Sequence, residues 1–331
     1  MLFSVIVPVY NAELTLDECV GSVLGAESRN FELILVNDGS RDNSAAMCDA
    51  FVARDARVAV IHQENQGLAC ARNAGIQAAY GDFLVHLDCD DFFKGGWFET
   101  IASEIKSCPD ADVFVWGIYL WQNGDLFADN VSFPVDKTGT LAGKIAFDIL
   151  FCSRLGTLWQ TFRYVVRRTS LLQLKMFYSP GVLHEDVDHN PFLVLKLGSV
   201  HFCRDRYYAY RQGRQGSITS GQTVARCRDM ITIATRWTDR LPATGLSVNT
   251  QQRFKAVLAR LLWDVVATIP RFQKRDRITL FSDMSTQVCL LEESRDPPLA
   301  SQGKRVLLSV VGVKGASWVL WWIRRWRQHG A

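Results

Sequence analysis

The first ninety residues alternate short apolar runs with stretches of helical character, and this alternation limits the possible folds more than any other feature. Four runs rich in Val, Ile, Leu and Phe predict strands at residues 3–8, 31–37, 58–62 and 82–87. Leu16, Val20, Val23 and Leu24 keep helical spacing, and residues 68–79 are rich in helix formers. The order predicts an α/β domain with a mostly parallel sheet between helices. Further along the chain, the pattern predicts a strand at 113–121, turns at 123–124 and 138–139, and a helix at 141–151.

Polar side chains follow three of these four predicted strands. Tyr10 follows the first strand, Asp38 the second, and Asp88, Asp90 and Asp91 the fourth. Parallel sheets bind their ligands at the carboxyl ends of the strands, so we expect these side chains to share one edge. An isolated pair of aspartates after a strand is more often a solvated acidic turn. The shared edge favours a ligand site instead.

The spacing of Asp88 and Asp90 fits the binding of one hard cation. In an extended segment alternate side chains point the same way, so the two carboxylates can converge on one ion. Mg²⁺ and Mn²⁺ prefer oxygen ligands and usually take one or two of them from protein carboxylates. The sequence therefore predicts a divalent metal that neutralises charge on a leaving phosphate.

Four motifs occur together in the first hundred residues: SVIVPVYN at 4–11, VNDGS at 36–40, NQGLACARNAG at 65–75 and LDCDD at 87–91. In order and spacing they resemble glycosyltransferase family 2, and the similarity continues more weakly to about residue 220. The resemblance implies a GT-A nucleotide-diphospho-sugar transferase fold over residues 1–220. It also implies an inverting transfer of a sugar from a nucleotide sugar, by expectation a UDP-sugar, to an acceptor hydroxyl.

The same resemblance assigns roles to the residues that match the motifs. Pro8, Tyr10 and Asp38 are expected to line the nucleotide pocket, with Asp38 accepting a hydrogen bond from uracil, and Arg72 is expected near the nucleotide. Asp88 is assigned to the ribose or the metal, and Asp90 to the metal. On local pattern alone, 38–40 could equally be a turn before a helix cap, and Arg72 a surface charge.

A second acidic motif, LHEDVDHNPF at 183–192, resembles the family's glutamate-aspartate pair. By that resemblance Asp186 is the general base and Glu185 orients the loop or the acceptor. Acidic residues also favour the start of any helix. A zinc motif is excluded because His184 and His189 are five residues apart, whereas the H-E-x-x-H motif needs four.

The segment YRQGRQGSIT at 210–219 follows a predicted aromatic strand at 207–210. It resembles the tyrosine-arginine ending of many polysaccharide transferases of this family. Arg211 and Arg214 are expected to close over the diphosphate, since guanidinium groups bind phosphate in a bidentate manner. A flexible basic surface loop is the alternative.

The C-terminal part, residues 221–331, is predicted to be a basic helical region. It contains 18 basic and 8 acidic residues, whereas residues 1–220 contain 19 and 26. In the tail Trp318, Trp322 and Trp326 share one helical face opposite Arg324 and Arg327. This pattern favours peripheral contact with an anionic membrane over a helix packed as core. The family resemblance implies a glycan or lipid-linked glycan acceptor, which would suit that position.

The composition indicates the cellular compartment of the chain and weighs against other classes of protein. Nine cysteines without any C-x-x-C pair fit neither a disulfide framework nor a zinc ribbon, and no secretory signal follows Met1. We expect the chain in the cytoplasm, on the inner face of the cell membrane. The family resemblance implies a role in cell-surface polysaccharide synthesis. A nucleotidyltransferase would need a glycine-rich loop that residues 4–11 lack. A nucleic-acid binder would need a motif that recognises bases, and the sequence has no recognisable one. A non-catalytic sugar-binding or scaffold protein with the same fold is the remaining alternative.

Overall fold

A computed structural model describes residues 1–131, 133, 140–153, 158–213, 223–293 and 311–321. The chain forms two compact units, Met1–Gln215 and Gly216–Ala331. The predicted turn at residues 138 and 139 lies outside the described residues, as does Arg214.

The first unit contains twelve strands within the described residues. In chain order they are β1 Phe3–Val9, β2 Phe31–Asp38, β3 Val58–Gln63, β4 Phe83–His86, β5 Phe92–Phe93, β6 Val113–Val115, β7 Tyr119–Gln122, β8 Asp125–Ala128, β9 Leu141–Ala142, β10 Tyr164–Arg167, β11 Ser199–Phe202 and β12 Tyr208–Arg211. Its helices are α1 Leu16–Leu24, α2 Ser44–Arg54, α3 Leu68–Ala78, α4 Trp97–Ser107, α5 Gly143–Cys152, α6 Arg168–Gln173 and α7 Glu185–Leu197.

The central sheet has eight strands in the order β3-β2-β1-β4-β10-β6-β11-β9. The four N-terminal strands run parallel, whereas β10 is antiparallel to both of its neighbours. A smaller sheet has the order β5-β12-β7-β8. The predicted α/β class and the mostly parallel arrangement of the N-terminal strands are confirmed. Because β1, β2 and β4 are parallel neighbours, the polar residues that follow them lie along one edge of the sheet.

Close packing of α3 on β1 fixes the height of this helix above the sheet. Gly75 faces Ile6 so closely that a Cβ atom at position 75 would collide with the Ile6 side chain. On the other face, Trp97 of α4 packs against Phe3 and Phe31 with ring centroids 6.2 and 5.5 Å away. The buried apolar strands are therefore covered on both sides, as a parallel sheet requires.

Two sequence predictions about the second half of this unit were wrong in detail. The apolar run at 113–121 forms two strands, β6 and β7, which belong to different sheets. The run stays apolar across the break because Trp116 and Ile118 are buried there. The predicted helix at 141–151 begins only at Gly143, after the short strand β9. The predicted turn at Asn123 and Gly124 is confirmed, since both have positive φ in the β7–β8 hairpin.

The second unit is helical in its described residues, as the sequence predicted. It comprises α8 Val224–Arg240, α9 Val248–Thr268, α10 Lys274–Ser285, α11 Val288–Glu293 and a helix at 311–321. Thr223 and Ser247 cap the first two helices by accepting hydrogen bonds from backbone N–H groups. Trp237 is buried against Phe254 and forms part of the core of this unit.

The last helix buries one side and exposes another. Ser317 donates a hydrogen bond to the Val266 carbonyl at 2.6 Å, while Trp318 and Val319 are 45% and 39% exposed. The other tryptophans of the predicted membrane-facing arc, at positions 322 and 326, lie outside the described residues. Within the ranges that the structure describes, no helix has both the length and the apolar character needed to cross a bilayer.

Candidate active site

The guanidinium group of Arg72 joins two acidic motifs that are distant in sequence. Arg72 lies on α3 and is 3% exposed. One terminal nitrogen donates to Asp88 Oδ1 at 2.8 Å, and the other donates to Glu185 Oε1. The segment after β4 is thereby tied to the first residue of α7, across 97 residues of chain. The structure thus brings the predicted metal motif and the predicted base motif into one site.

The charges of this cluster depend on each other because the side chains are largely buried. Burial lowers the pKa of Arg72, but the carboxylates of Glu185 and Asp88 raise it by more, so Arg72 stays protonated. Burial raises the pKa of Glu185, an effect that Arg72 opposes and the Asp186 charge reinforces. Removing Arg72 would therefore leave one buried and one partly buried carboxylate without their counter-charge.

Asp186, the predicted base, lies at the start of α7. Its Oδ1 accepts a hydrogen bond from the Val187 backbone N–H at 2.9 Å, which orients the carboxylate. The charge of Asp186 also contributes to raising the pKa of Asp88, whose pKa is raised chiefly by burial. Asp186 and the metal motif are therefore within electrostatic range of each other, and Asp186 is only half-buried.

Asn73, the neighbour of Arg72, fixes the segment that leads to α7. Its side-chain amide donates to the Tyr178 carbonyl at 2.8 Å and accepts from the Tyr178 N–H at 2.9 Å. The adjacent residues Arg72 and Asn73 thus hold two points of the 178–185 segment from one helix. The Arg-Asn sequence at the start of α3 therefore positions the segment that leads to Asp186.

Negative charge is crowded at the end of β4. Burial raises the pKa of Asp91 well above its usual range, and the charges of Asp88 and Asp90 raise it further. Both oxygens of Asp91 are engaged, because Tyr208 Oη donates to one at 2.5 Å and the Arg211 N–H to the other at 2.8 Å. Asp91 therefore supports the turn that presents Asp88 and Asp90.

Asp88 and Asp90 fit a hard divalent cation by their chemistry. Both offer carboxylate oxygens, the ligands that Mg²⁺ and Mn²⁺ prefer. The Asp88 side chain is 26% exposed, so it can be reached from solvent while it is held by Arg72. Burial raises the pKa of Asp88 and of Asp91, and repulsion from neighbouring carboxylates raises both further. A bound cation would relieve that repulsion.

Arg211 lies beside this acidic turn at the end of β12. Its Nε donates to the Asp90 carbonyl at 2.9 Å, and a terminal nitrogen donates to Glu18 Oε2 at 2.5 Å. The guanidinium also stacks over the Trp121 ring, 4.3 Å from its centroid. The predicted phosphate-binding arginine therefore lies next to the predicted metal ligand, where it is paired with Glu18.

At the ends of β1 and β2 the predicted nucleotide residues have different environments. Pro8 is buried within β1, and Tyr10 is 44% exposed. Asp38 is 4% exposed and accepts hydrogen bonds from the Gln63 side chain at 2.7 Å and from the backbone N–H groups of Gln66 and Gly67 at 2.9 and 2.8 Å. A carboxylate has about four acceptor positions, so one is left for a ligand. The contact of Asp38 with uracil stays a prediction.

Sequence reasoning missed Tyr208 and Glu18. The Tyr208 hydroxyl donates a hydrogen bond to Asp91 and accepts one from the Asp88 backbone N–H at 3.3 Å. Its only sequence signal was its place in an apolar, aromatic strand, which predicts a core residue. Glu18 contacts Arg211 across 193 positions of the chain, and no local pattern indicates such a pair.

Comparisons with known proteins identify the family of the chain. A family model described as glycosyl transferase family 2 matches residues 4–167. The glycosyltransferase GlyG of Streptococcus pneumoniae is 31% identical over 283 residues, which cover 83% of this chain and 91% of GlyG. The uncharacterized glycosyltransferase EpsJ of Bacillus subtilis is 32% identical over 220 residues, covering 64% of this chain and 61% of EpsJ. The chain belongs to glycosyltransferase family 2 and is a glycosyltransferase enzyme.

Solved structures confirm the GT-A-like fold. Residues 1–349 of TarS from S. aureus, crystallised in complex with UDP-GlcNAc, match with a TM-score of 0.64 at 17% identity. The match covers 100% of this chain and 92% of the TarS chain. At this level of identity the likeness concerns the fold.

Proposed function

We propose that the chain is an inverting, metal-dependent glycosyltransferase that moves a sugar from a UDP-sugar to an acceptor hydroxyl in the synthesis of a cell-surface polysaccharide. The observation that carries this proposal is the pair of contacts from Arg72 to Asp88 and Glu185. These contacts place the start of α7, with Asp186, beside the acidic turn after β4.

Asp90 and Asp88 would hold the divalent cation, Mn²⁺ or Mg²⁺. When bound, such an ion supplies positive charge that stabilises the diphosphate leaving group. Tyr208 and Arg211 fix Asp91, and Asp91 in turn keeps the two ligand carboxylates in position. The supporting shell is buried, so the geometry of the turn is set before the donor binds.

Asp186 would act as the general base. It takes the proton of the acceptor hydroxyl while that oxygen attacks the anomeric carbon and the bond from this carbon to the diphosphate oxygen breaks. The hydrogen bond from the Val187 N–H occupies one carboxylate oxygen and leaves the other for the acceptor. Glu185 would not act on the substrate directly, because it is buried and paired with Arg72, and its role is to position Asp186.

Pro8, Tyr10 and Asp38 would line the nucleotide pocket, and Arg211 would contact the diphosphate. The complex of TarS with UDP-GlcNAc supports a uridine nucleotide as the donor class. To reach the phosphates, Arg211 would exchange its contact with Glu18 for a charge-assisted contact with the donor. Arg72 would act on the nucleotide site through Asp88, since both of its terminal nitrogens are engaged by carboxylates.

The second unit would keep the enzyme on the inner face of the cell membrane, near a glycan or lipid-linked glycan acceptor. The net charge of +10 over residues 221–331 and the exposed Trp318 support contact with anionic lipid. Cosedimentation with vesicles containing phosphatidylglycerol tests this point. Binding that is lost in high salt is expected, and equal binding to neutral vesicles would contradict it.

Incubation of the purified chain with a panel of nucleotide sugars tests the transfer. Release of nucleoside diphosphate is measured with Mn²⁺, with Mg²⁺ and with a chelator, in the presence and absence of a lipid-extract acceptor. We expect acceptor-stimulated, metal-dependent release from a UDP-sugar that Asp90→Asn abolishes. If no donor is bound or turned over in the presence of metal, the non-catalytic scaffold becomes the better account.

A further inference from the structure

A second group of metal-ligand side chains lies in the first unit, on elements other than those of the acidic turn. Glu104 belongs to α4, His201 to β11, and Cys203 follows the end of β11. The Cys203 N–H donates to the Val115 carbonyl at 2.9 Å, so the chain stays extended beyond His201. Side chains two residues apart on extended backbone point to the same face, and here both meet Glu104.

The distances within this Glu104–His201–Cys203 cluster are short. One ligand atom from each of the three residues lies within 4.8 Å of the others, and His201 Nε2 is 3.1 Å from Glu104 Oε2. In a tetrahedral zinc site with metal–ligand bonds of about 2.0 to 2.3 Å, neighbouring ligand atoms are about 3.3 to 3.8 Å apart. Small side-chain rotations would therefore close the three atoms around one ion.

We propose that Glu104, His201 and Cys203 bind a zinc ion or a similar thiophilic divalent metal. A thiolate together with an imidazole and a carboxylate favours zinc over Mg²⁺ or Mn²⁺, in contrast to the all-oxygen set of Asp88 and Asp90. Three protein ligands leave one position for water. This site is separate from the metal of the proposed transfer reaction.

Burial and a supporting hydrogen bond fit this assignment. Cys203 and His201 are 1% and 8% exposed, whereas 14% of the Glu104 side chain is exposed and gives the ion a way in. The second Glu104 oxygen accepts a hydrogen bond from the Arg204 N–H at 3.2 Å, which orients the carboxylate as outer partners of metal ligands do. The thiol of Cys203 would lose its proton when the metal binds, because the thiolate is the metal ligand.

The bound ion would stabilise the route from β11 to the active site. It would tie α4 to the segment that begins at Cys203 and leads to Tyr208, whose hydroxyl holds Asp91. We therefore expect the ion, with water as its fourth ligand, to act on the stability of the fold. Zinc should raise the unfolding temperature of the chain without taking part in sugar transfer.

Cobalt titration of the metal-stripped full chain, in excess Mg²⁺ to occupy the oxygen site, tests this inference. A cobalt-bound thiolate gives a charge-transfer band in the near ultraviolet, and one equivalent of Co²⁺ is expected to produce it. Cys203→Ala should abolish the band, and His201→Gln and Glu104→Gln should weaken cobalt binding about tenfold or more. Cys48→Ala, which removes another buried thiol of the same unit, should leave the band unchanged.

Thermal unfolding with and without added zinc gives a second, independent result. Zinc should raise the midpoint for the wild type and for Cys48→Ala but not for Cys203→Ala. If Cys203→Ala does not fold, Glu104→Gln serves instead, because the Glu104 side chain is nearer the surface. A wild-type chain without the charge-transfer band, or a band that persists in Cys203→Ala, would overturn the inference.

Discussion

Arg72 on α3 donates a hydrogen bond to Asp88 Oδ1 at 2.8 Å, and its other terminal nitrogen is paired with Glu185. A single buried cation therefore neutralises one carboxylate from each acidic motif. This relationship makes the stability of the fold and the geometry of the site depend on the same residue.

Replacing Arg72 by Met is expected to destabilise the protein strongly. The change leaves the buried Glu185 and the partly buried Asp88 without their counter-charge. Removing one partner of a buried ion pair typically costs about 3–5 kcal/mol of unfolding free energy. Chemical denaturation measures this loss. Arg228→Met is the matched control, because the Arg228–Asp283 pair is 3.4 Å long and its side chains are 49% and 36% exposed. That variant should lose less than about 1 kcal/mol, and a similar cost for both variants would contradict the role of Arg72.

Two adjacent tyrosines provide a test of the support for Asp91. Tyr208→Phe removes the hydroxyl that donates to the buried Asp91 carboxylate at 2.5 Å. It should cost about 1–3 kcal/mol of unfolding free energy and weaken metal-dependent activity. Tyr207→Phe is the control, because the Tyr207 hydroxyl is equally buried and has no hydrogen-bond partner among the described residues. Equal losses in both variants would show that the hydroxyl of Tyr208 does not support the site.

Arg211→Ala is expected to raise the KM for the nucleotide sugar about 10- to 100-fold, because the variant loses one hydrogen bond to a charged group of the donor. Steady-state kinetics at varied donor concentration measure this. Glu18→Gln keeps Arg211 but weakens its competing ion pair, so the KM should stay unchanged or fall. An unchanged KM in Arg211→Ala would exclude Arg211 from donor binding.

The stability of the protein should decrease at mildly acidic pH because His189 is buried. Burial lowers the pKa of His189 in the folded chain, although hydrogen bonds to Asn190 and Met176 partly offset this effect. An unfolded histidine takes up a proton below a pH of about 6.5, so acid favours the unfolded state there and this contribution is complete above that pH. The unfolding free energy of His189→Gln, measured from about pH 7.5 to about pH 5.5, should fall less steeply than that of the wild type. Parallel curves would contradict this assignment.

The fold of the first ninety residues could be predicted because each strand and helix there is recognisable from its own residues. Each buried parallel strand is one apolar run, and each helix between them keeps its own spacing. The boundary between β6 and β7 could not be predicted in this way. Residues 113–118 are all apolar or small and buried, so the point where the chain leaves one sheet for the other has no hydropathy signal.

The site was predictable to the extent that its residues belong to contiguous motifs. Asp88, Asp90 and Asp186 were indicated by local motifs and a family resemblance, whereas the contact of Tyr208 with Asp91 joins residues 117 positions apart. An aromatic residue in a strand is most often core, and only the structure shows that this hydroxyl is used. The hydrogen bonds from the loop before α3 to Asp38 could not be predicted from the sequence either. Two of the donors are backbone N–H groups, which any residue type supplies.

In the proposed mechanism, the metal motif and the base motif form one site with separate tasks. Calorimetric titration with the UDP-sugar that the enzyme uses, with and without Mn²⁺, measures donor binding by the wild type, Asp90→Asn and Asp186→Asn. The rate of transfer by the same three proteins gives kcat. We predict that Asp90→Asn loses the metal-dependent part of donor binding, whereas Asp186→Asn binds the donor as the wild type does and loses about 10²- to 10⁴-fold in kcat. Metal-dependent binding that persists in Asp90→Asn, or full turnover by Asp186→Asn, would contradict the account.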